Sequence, residues 1–387
     1  MRSPGDSPLG KSKAPGVGLP SPATPHHETS SPHPTLKPHR GTTLSSTSTE
    51  TYLRKPWGSS VRIEDDLWRL RLKNPVGSLL VNTFVYRHRD TLAVIDPGWP
   101  WEVQLLDDAL SDLGFGGIKA VTHWLYTHSH IDHMGAAVLL QRRSEAPHMV
   151  WPWVKPELER WHHYQDRVNN WTPWVEEAFA EPQRSHILKE RVGRSAGGAR
   201  MLELFGPGAL THTRSYEVGD TLEVGELRLE LLDARGHDPS HLALWEPTRR
   251  WLFSGDLLLA MPSPLSRAMG DDLTLYEESL KRIARLPAEL LLTGHGTHQR
   301  GDDIARAVAR SRDQITSLDL NLRQALGPEP TDLYSLVLKM VGGKALEPTS
   351  RWWVHIANSD THLQRMVERG EAERINDERG PLYRSRG

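Results

Sequence analysis

The chain has 387 residues, a formal net charge of −2 and no cysteine. This length favours about two to three domains, and the near-neutral charge gives no reason to expect electrostatic capture of nucleic acid or of a membrane surface. Without cysteine, disulfides, cysteine-ligated zinc and a cysteine nucleophile are excluded, so any metal must be held by His, Asp and Glu.

The sequence has no apolar run of about 18 residues that would predict a transmembrane helix. Its first residues also lack the apolar core of a secretory signal. We therefore expect a cytoplasmic protein with no membrane partner.

Residues 1–50 contain nine Pro, nine Ser and seven Thr and no aromatic residue. Such a segment cannot bury enough apolar surface to offset the entropy lost on ordering. We predict a disordered tail over residues 1–51. Two explanations stay open for it, a regulatory arm or a translation start assigned too early.

Residues 52–305 alternate between strand and helix patterns. Strands are predicted at "DLWRLRLK" and at "VNTFVYRHRDTLAVIDPG", with a hairpin turn at Asp90-Thr91. A helix ("WEVQLLDDALSDLGF") and a buried strand ("KAVTHWLYTHSH") follow, and further strands resume at "YEVGDTLEVGELRLELLDARGH". Strands in both halves, with helices between them, predict two sheets packed face to face with helices outside.

Residues 150–215 interrupt this pattern. The segment holds five of the 14 tryptophans and reads as a helical insert. Aromatic rings give large apolar contact at low entropic cost, so we predict a substrate lid in which Trp161 and Trp171 contact the substrate. The alternative is that these tryptophans only pack the helices together.

Residues 306–387 are predicted as a helical C-terminal domain. Helical patterns end at Gly370, and "EAERINDERGPLYR" then reads as two short strands, so we predict a winged helix. The last 37 residues hold seven Arg against six Asp and Glu, which argues against strong nucleic-acid binding there. Packing against residues 52–305 or against a second subunit of a homodimer is the expected role.

The stretch "THSHIDHMG" crowds four coordinating side chains together: His128, His130, Asp132 and His133. They are too many for one tetrahedral ion to take from a short loop, and they suit two ions. Elsewhere the sequence repeats an apolar strand followed by a coordinating residue, usually after glycine. These positions are Asp96 in "LAVIDPG", His237 in "DARGHDPSH", Asp256 in "LFSGDLLL" and His295 in "LLLTGHG".

The order of these motifs resembles that of the metallo-β-lactamase superfamily over about residues 60–300. The resemblance implies an α+β four-layer αββα sandwich that holds two metal ions. It implies that the first ion is held by His128, His130 and His237, the second by Asp132, His133 and His295, and that Asp256 bridges both. Zinc is expected, with manganese or iron as alternatives for the same donors.

Two carboxylates receive other roles from the same resemblance. Asp132 would also be catalytic, orienting the attacking hydroxide and accepting its proton. Asp96 would support the ligands without binding metal. His241, four residues past His237, is a further candidate that faces the substrate, with an ordinary loop histidine as the alternative.

Details separate branches of the superfamily. The main zinc β-lactamase class uses a cysteine that this chain lacks, and the other di-zinc class lacks a bridging aspartate at Asp256. Diiron oxygen reductases carry Glu in place of His130. His295 follows Asp256 by only 39 positions, which leaves no room for the extra motifs of the related nucleases.

The remaining resemblance is to glyoxalase II-like hydrolases, and the C-terminal pattern is similar to the branch called β-lactamase-like protein two. It implies hydrolysis of a small-molecule thioester or ester, as in an acyl-CoA thioesterase or a glyoxalase II. A ribonuclease, and a lactonase or β-lactamase-like hydrolase, stay open. The non-enzyme alternative is a DNA-binding regulator that senses metal through an inactive hydrolase domain. Such an inactive domain would be expected to have lost metal ligands.

Overall fold

Two β-sheets face each other in the computed structural model, which describes residues 53–74, 80–152, 154, 172–181, 183, 185–186, 209–259, 263–342, 352–378 and 380–386. The predicted tail over residues 1–51 lies outside these residues. Residues Glu50–Gly387 form one compact unit. The predicted boundary between residues 305 and 306 stays a prediction.

The first sheet has eight strands in chain order. Neighbours from β1 to β5 are antiparallel, and those from β5 to β8 are parallel. The strands are β1 (Leu53–Lys55), β2 (Gly58–Glu64), β3 (Leu67–Leu72), β4 (Thr83–His88), β5 (Thr91–Ile95), β6 (His123–Leu125), β7 (His148–Val150) and β8 (Thr213–Ser215).

The second sheet has six strands in the order β14-β13-β12-β11-β10-β9. Its neighbours are antiparallel except for β12 and β13, which are parallel. The strands are β9 (Thr221–Val224), β10 (Leu227–Asp233), β11 (Leu242–Glu246), β12 (Trp251–Gly255), β13 (Leu290–Thr293) and β14 (Gln299–Arg300).

The β4–β5 hairpin turns one residue earlier than predicted. His88 pairs with Thr91, so Arg89 and Asp90 form the turn, and the expectation of Asp90-Thr91 was wrong. Arg89 has φ of 50°, the positive value that a two-residue hairpin turn requires. The pairing register, which fixes which side chains face the core, decides the position of the turn.

Eight α-helices lie among the described residues. They are α1 (Val103–Asp112), α2 (Ile131–Met134), α3 (Ala137–Leu140), α4 (Thr172–Ala178), α5 (Leu273–Ile283), α6 (Asp302–Ala325), α7 (Leu333–Val341) and α8 (Trp352–Glu368). None of the described helices is long and apolar enough to cross a membrane.

The four layers of the sandwich meet at three interfaces. Between the sheets, the rings of Phe84 and Phe253 meet edge to face at 5.5 Å. Helix α1 buries Leu106 and Leu110 on the outer face of the first sheet. Helix α5 buries Tyr276 and its neighbours on the outer face of the second. The predicted αββα fold is confirmed.

The C-terminal elements are the helices α6, α7 and α8 and a hairpin of β15 (Ala372–Asp377) and β16 (Gly380–Ser385). Their apolar cluster includes Leu322 of α6, Leu336 of α7 and Ile356 of α8, and it also contains Trp174 of α4. Helices followed by a hairpin agree with the predicted order of elements. The winged-helix assignment stays a prediction.

Candidate metal centre

The ends of four strands bring the coordinating residues to one edge of the sandwich. Asp96 follows β5, the "THSHIDHMG" loop follows β6, Asp256 follows β12 and His295 lies two residues after β13. Because β5 and β6 are parallel, and β12 and β13 are parallel, each pair ends on the same side. The loop between β10 and β11 adds His237.

The structure brings all seven predicted ligands together. Their donor atoms form three overlapping groups, and within each group the atoms lie within 4.8 Å of one another. The groups are His128 with His130 and His237, His128 with His133 and Asp256, and Asp132 with His133 and His295.

Asp256 faces two of these groups through different oxygens. Its Oδ1 lies 3.4 Å from Nε2 of His133, and its Oδ2 lies 3.7 Å from Nε2 of His237. Oδ2 is also 3.2 Å from Nε2 of His295. The carboxylate therefore stands between the histidines of the two ends of the centre.

Two glycines allow the strand ends to approach so closely. A Cβ atom on Gly294 would lie 2.1 Å from Oδ1 of Asp256, and one on Gly255 would lie 2.5 Å from Oγ1 of Thr127. Gly255 also has φ of 48°, a conformation that side-chain-bearing residues rarely adopt. Packing thus requires glycine directly before Asp256 and directly before His295.

Asp96 supports the loop without joining any of the three groups. It has φ of 51°, and its carboxylate accepts hydrogen bonds from the N–H and the hydroxyl of Thr127 at 2.8 and 2.7 Å. Its Oδ2 is 3.0 Å from Nδ1 of His133. This contact leaves Nε2 of His133 facing the other coordinating residues.

Two carboxylates and two histidines at one end of the centre shift each other's pKa. Burial alone would lower the pKa of His133, but Asp256 and Asp132 outweigh it and raise that pKa well above its usual value. The same balance raises the pKa of His295 to about 10. Burial would raise the pKa of Asp132, yet His133 and His295 hold it at about 2. In the metal-free protein, this end of the centre therefore favours protonated imidazoles beside ionised carboxylates.

The other end of the centre is electrically different. Burial, together with His130, lowers the pKa of His237 to about 4. Burial and the neighbouring His133 and His130 also lower the pKa of His128 well below its usual value. Both imidazoles are neutral at pH 7, which is the form that binds metal.

The donor atoms fit a divalent metal ion. Nε2 of His128 is buried and has no hydrogen-bond partner among the described residues, which is costly unless something else binds it. The remaining donors are imidazole nitrogens and carboxylate oxygens, a set that suits zinc, iron or manganese.

His241 lies behind the centre. It is completely buried, its Nε2 accepts a hydrogen bond from the backbone N–H of Asp256, and its ring stacks on that of His128 at 4.7 Å. Burial lowers its pKa to about 3, so the ring is neutral. Its predicted contact with substrate is untested and stays a prediction.

Trp161 and Trp171, predicted to contact the substrate, lie outside the described residues. Two other tryptophans of the same stretch are described, and both are buried. Trp151 belongs to the core beside the first sheet, and Nε1 of Trp174 donates to Asp360 of α8 at 2.7 Å. These two pack the fold.

Sequence reasoning missed residues that lie beside the histidines on the side away from the centre. Oδ2 of Asp238 lies 3.5 Å from Nε2 of His130, and Asp238 is itself held by the N–H of Ser240 at 2.6 Å. Oγ of Ser263 is 2.8 Å from Nδ1 of His237. Asp238 could have been suspected because it adjoins His237, whereas Ser263 gave no signal.

Glu102 was also missed. Its carboxylate is buried and accepts the backbone N–H of Trp99 at 3.0 Å, just after the Asp96 turn. Burial raises its pKa to about 8, although the Trp99 N–H opposes the shift. Glu102 therefore holds its proton at neutral pH in the metal-free protein.

The fold and this centre agree with a family match. A model of the metallo-beta-lactamase superfamily matches residues 76–295, which is more than half of the chain. The chain belongs to this superfamily, as its motifs predicted, and is a hydrolase of that class.

Relatives are distant. An uncharacterized protein of Aquifex aeolicus is 26% identical over 227 residues, covering 57% of this chain and 87% of that protein. A hydroxyacylglutathione hydrolase of Bdellovibrio bacteriovorus is 31% identical over 81 residues, which cover 21% of this chain and 31% of that enzyme. A metallo-beta-lactamase family protein from Thermus thermophilus superposes with a TM-score of 0.63 at 21% identity, over 84% of this chain and 100% of that one. At that identity, the likeness of structure supports the fold alone.

Proposed function

We propose that the chain is a dinuclear metal-dependent hydrolase that cleaves a small-molecule thioester or ester. The observation that carries the proposal is the overlap of three groups of donor atoms. Seven residues offer more donors than one tetrahedral ion takes, so two ions share them.

The proposed ligand sets follow the groups. His128, His130 and His237 hold the first ion, and Asp132, His133 and His295 hold the second. Asp256 serves both, which is supported by the approach of its two oxygens to His133 and His237 at 3.4 and 3.7 Å. Zinc is the proposed metal, and the same donors accept manganese or iron.

When bound, two such ions would make hydroxide available at neutral pH and would polarise a carbonyl group. The protein's own contribution is orientation and proton transfer. Asp132 orients the attacking water and takes its proton. Asp96 fixes the ring of His133 and Ser263 that of His237, and Asp238 places a carboxylate oxygen 3.5 Å from Nε2 of His130.

The choice of a thioester is supported by the stretch shared with a hydroxyacylglutathione hydrolase. That match covers 31% of the relative's length, so the relative's substrate class is only proposed for this chain. An acyl-CoA is the second thioester class to test. The homodimer and the cytoplasmic location stay predictions.

Metal analysis joined to a substrate screen tests the proposal. The screen holds acyl-CoA, S-lactoylglutathione, a lactone, nitrocefin and single-stranded RNA. We expect about two ions per chain and turnover of a thioester or ester. Asp132→Asn should lower kcat by at least about a hundredfold, the range for loss of a general base.

Asp313→Asn, which changes an exposed aspartate on α6, is the matched control and should leave kcat unchanged. A folded protein that binds no metal overturns the whole proposal. Two bound ions with cleavage of only RNA or nitrocefin overturn the thioester or ester assignment alone.

A further inference from the structure

The C-terminal helix α8 reaches the candidate metal centre through one loop. Residues 263–272 lie between β12 and α5, with His237 on one side and α8 on the other. Several residues of this loop are buried, including Ser263, Leu265 and Ser266. The loop has contacts on both sides.

On the inner side, the loop fixes which nitrogen of His237 is free. Nδ1 of His237 lies 3.1 Å from the backbone oxygen of Pro264 and 2.8 Å from Oγ of Ser263. A carbonyl oxygen can only accept, so Nδ1 carries the hydrogen and the lone pair is on Nε2. That lone pair faces the centre, where Nε2 lies 3.2 Å from Nδ1 of His130.

On the outer side, α8 holds the loop at two points. The N–H of Leu265, the residue after Pro264, donates to Oδ1 of Asn358. Nε of Arg267 donates to Oδ2 of Asp360 at 2.9 Å. Asn358, Asp360 and Leu265 are all buried, so these bonds are protected from water and costly to lose.

The far end of the loop closes back onto the histidine segment. The N–H of Asp272 donates to the backbone oxygen of Gly236 at 2.8 Å, one residue before His237. The loop is therefore bonded to the histidine segment at both of its ends. Because the Leu265 N–H and the Pro264 carbonyl belong to one peptide group, a shift of one shifts the other.

We propose that Asn358 of α8 is a positioning residue for His237, so that the C-terminal region sets the affinity of the first metal ion. This inference rests on the proposed function, because it takes His237 as a ligand. It gives the C-terminal helices a role in the chemistry of the centre through the loop that they hold.

The test compares metal affinities of folded variants by competition with a chromogenic chelator. Asn358→Leu keeps the size of the side chain but removes the acceptor of the Leu265 N–H. We expect the affinity for one of the two ions to fall roughly tenfold, the lower end for loss of an outer partner of a metal-binding histidine. Asn358→Asp, which keeps the acceptor oxygen, should restore most of it.

A matched control removes another buried contact of the same helix. Nδ1 of His362 lies 2.6 Å from Oδ1 of Asp319 on α6, a contact that involves no residue of the loop. His362→Leu should lower the thermal stability at least as much as Asn358→Leu, while both metal affinities stay within about twofold of wild type. Equal losses of affinity in the two variants would mean that α8 acts only through stability, and would overturn the inference.

A double-mutant cycle tests the route. In a His237→Ala background, Asn358→Leu should change the remaining metal affinity by less than about twofold, because the ligand that it positions is gone. The absorption spectrum of the Co²⁺-loaded protein should change in Asn358→Leu and in Ser263→Ala alike.

The two failures are distinguishable. If the wild-type chain binds no metal, the proposed function is wrong. If the wild-type chain binds two ions and Asn358→Leu leaves both affinities unaltered, only this inference is wrong.

Discussion

The backbone N–H of Asp256 donates to Nε2 of His241 at 3.1 Å, and this bond ties a buried imidazole to the backbone of the residue whose carboxylate lies between the two ends of the centre. The same ring stacks on His128 at 4.7 Å. His241 thus supports two of the seven coordinating residues from behind.

We predict that His241→Ala lowers kcat more than it raises KM. Loss of the ring removes the acceptor of the Asp256 N–H and the surface on which His128 rests, so both proposed ligands lose their fixed positions. We expect kcat to fall about 10- to 100-fold, with weaker metal binding and KM within about twofold. Steady-state kinetics with metal analysis checks this.

The contrasting outcome has a clear meaning. If His241→Ala raises KM severalfold and leaves metal content unchanged, then His241 contacts substrate as its position after His237 suggested. His355→Ala, on the exposed side of α8, controls for loss of a histidine and should behave as wild type.

The sequence predicted the ligands because each follows a local rule. His128, His130, Asp132 and His133 share one loop, and Asp256 and His295 follow apolar strands that end in glycine. The close approach of Gly255 and Gly294 to neighbouring atoms is the physical reason for that rule. The two-sheet architecture followed in the same way from strand patterns in both halves.

The supports of the ligands could not be predicted in this way. Ser263 meets His237 across 26 residues, and Asn358 meets Leu265 across 93. The hydrophobic periodicity of the sequence does not predict such pairings, because they depend on how separate elements pack. The hairpin turn at Arg89 was misplaced for a related reason, since strand register is set by the partner strand.

Gly294→Ala should disable the centre. The added Cβ would lie 2.1 Å from Oδ1 of Asp256 and 2.7 Å from Cε1 of His133, so both side chains must move. We expect at least about a hundredfold loss of kcat together with loss of bound metal. Gly327→Ala is the control, because its nearest neighbour would be 3.9 Å away. Near-normal activity in Gly294→Ala would show that Asp256 and His133 are not both needed.

Metal binding should release protons at one end of the centre only. The pKa of His295 is raised to about 10 and that of His133 is also raised, so both imidazoles are protonated at pH 7 in the metal-free protein. An ion bound there must displace about two protons, and its affinity should rise steeply with pH. His128 and His237, with lowered pKa values, have no proton to lose.

Calorimetry in two buffers of different ionisation enthalpy, between about pH 6 and pH 8, measures this release. The affinity for one ion should rise with pH. For the other ion, His128 and His237 should add no pH dependence to the affinity. In His295→Ala, fewer protons should be released. An identical pH slope for both ions would contradict the division of the centre into a charged end and a neutral end.

Glu102 should make the metal-free protein less stable as the pH rises. Its pKa is about 8 in the folded chain against an ordinary value of 4.5, so folding favours its protonated form. The stability that this proton contributes is complete below pH 4.5 and is lost as the pH rises through about 8.

Replacing this carboxyl by an amide isolates its effect on stability. Glu102→Gln keeps an acceptor for the Trp99 N–H without a titrating group, so between about pH 5 and pH 8 the variant should lose less stability than wild type, by at most about 1.4 kcal/mol per pH unit. Urea unfolding at several pH values measures the difference. Glu145→Gln, at an exposed position, should follow the wild-type slope, and parallel slopes for all three proteins would show that Glu102 is ionised throughout.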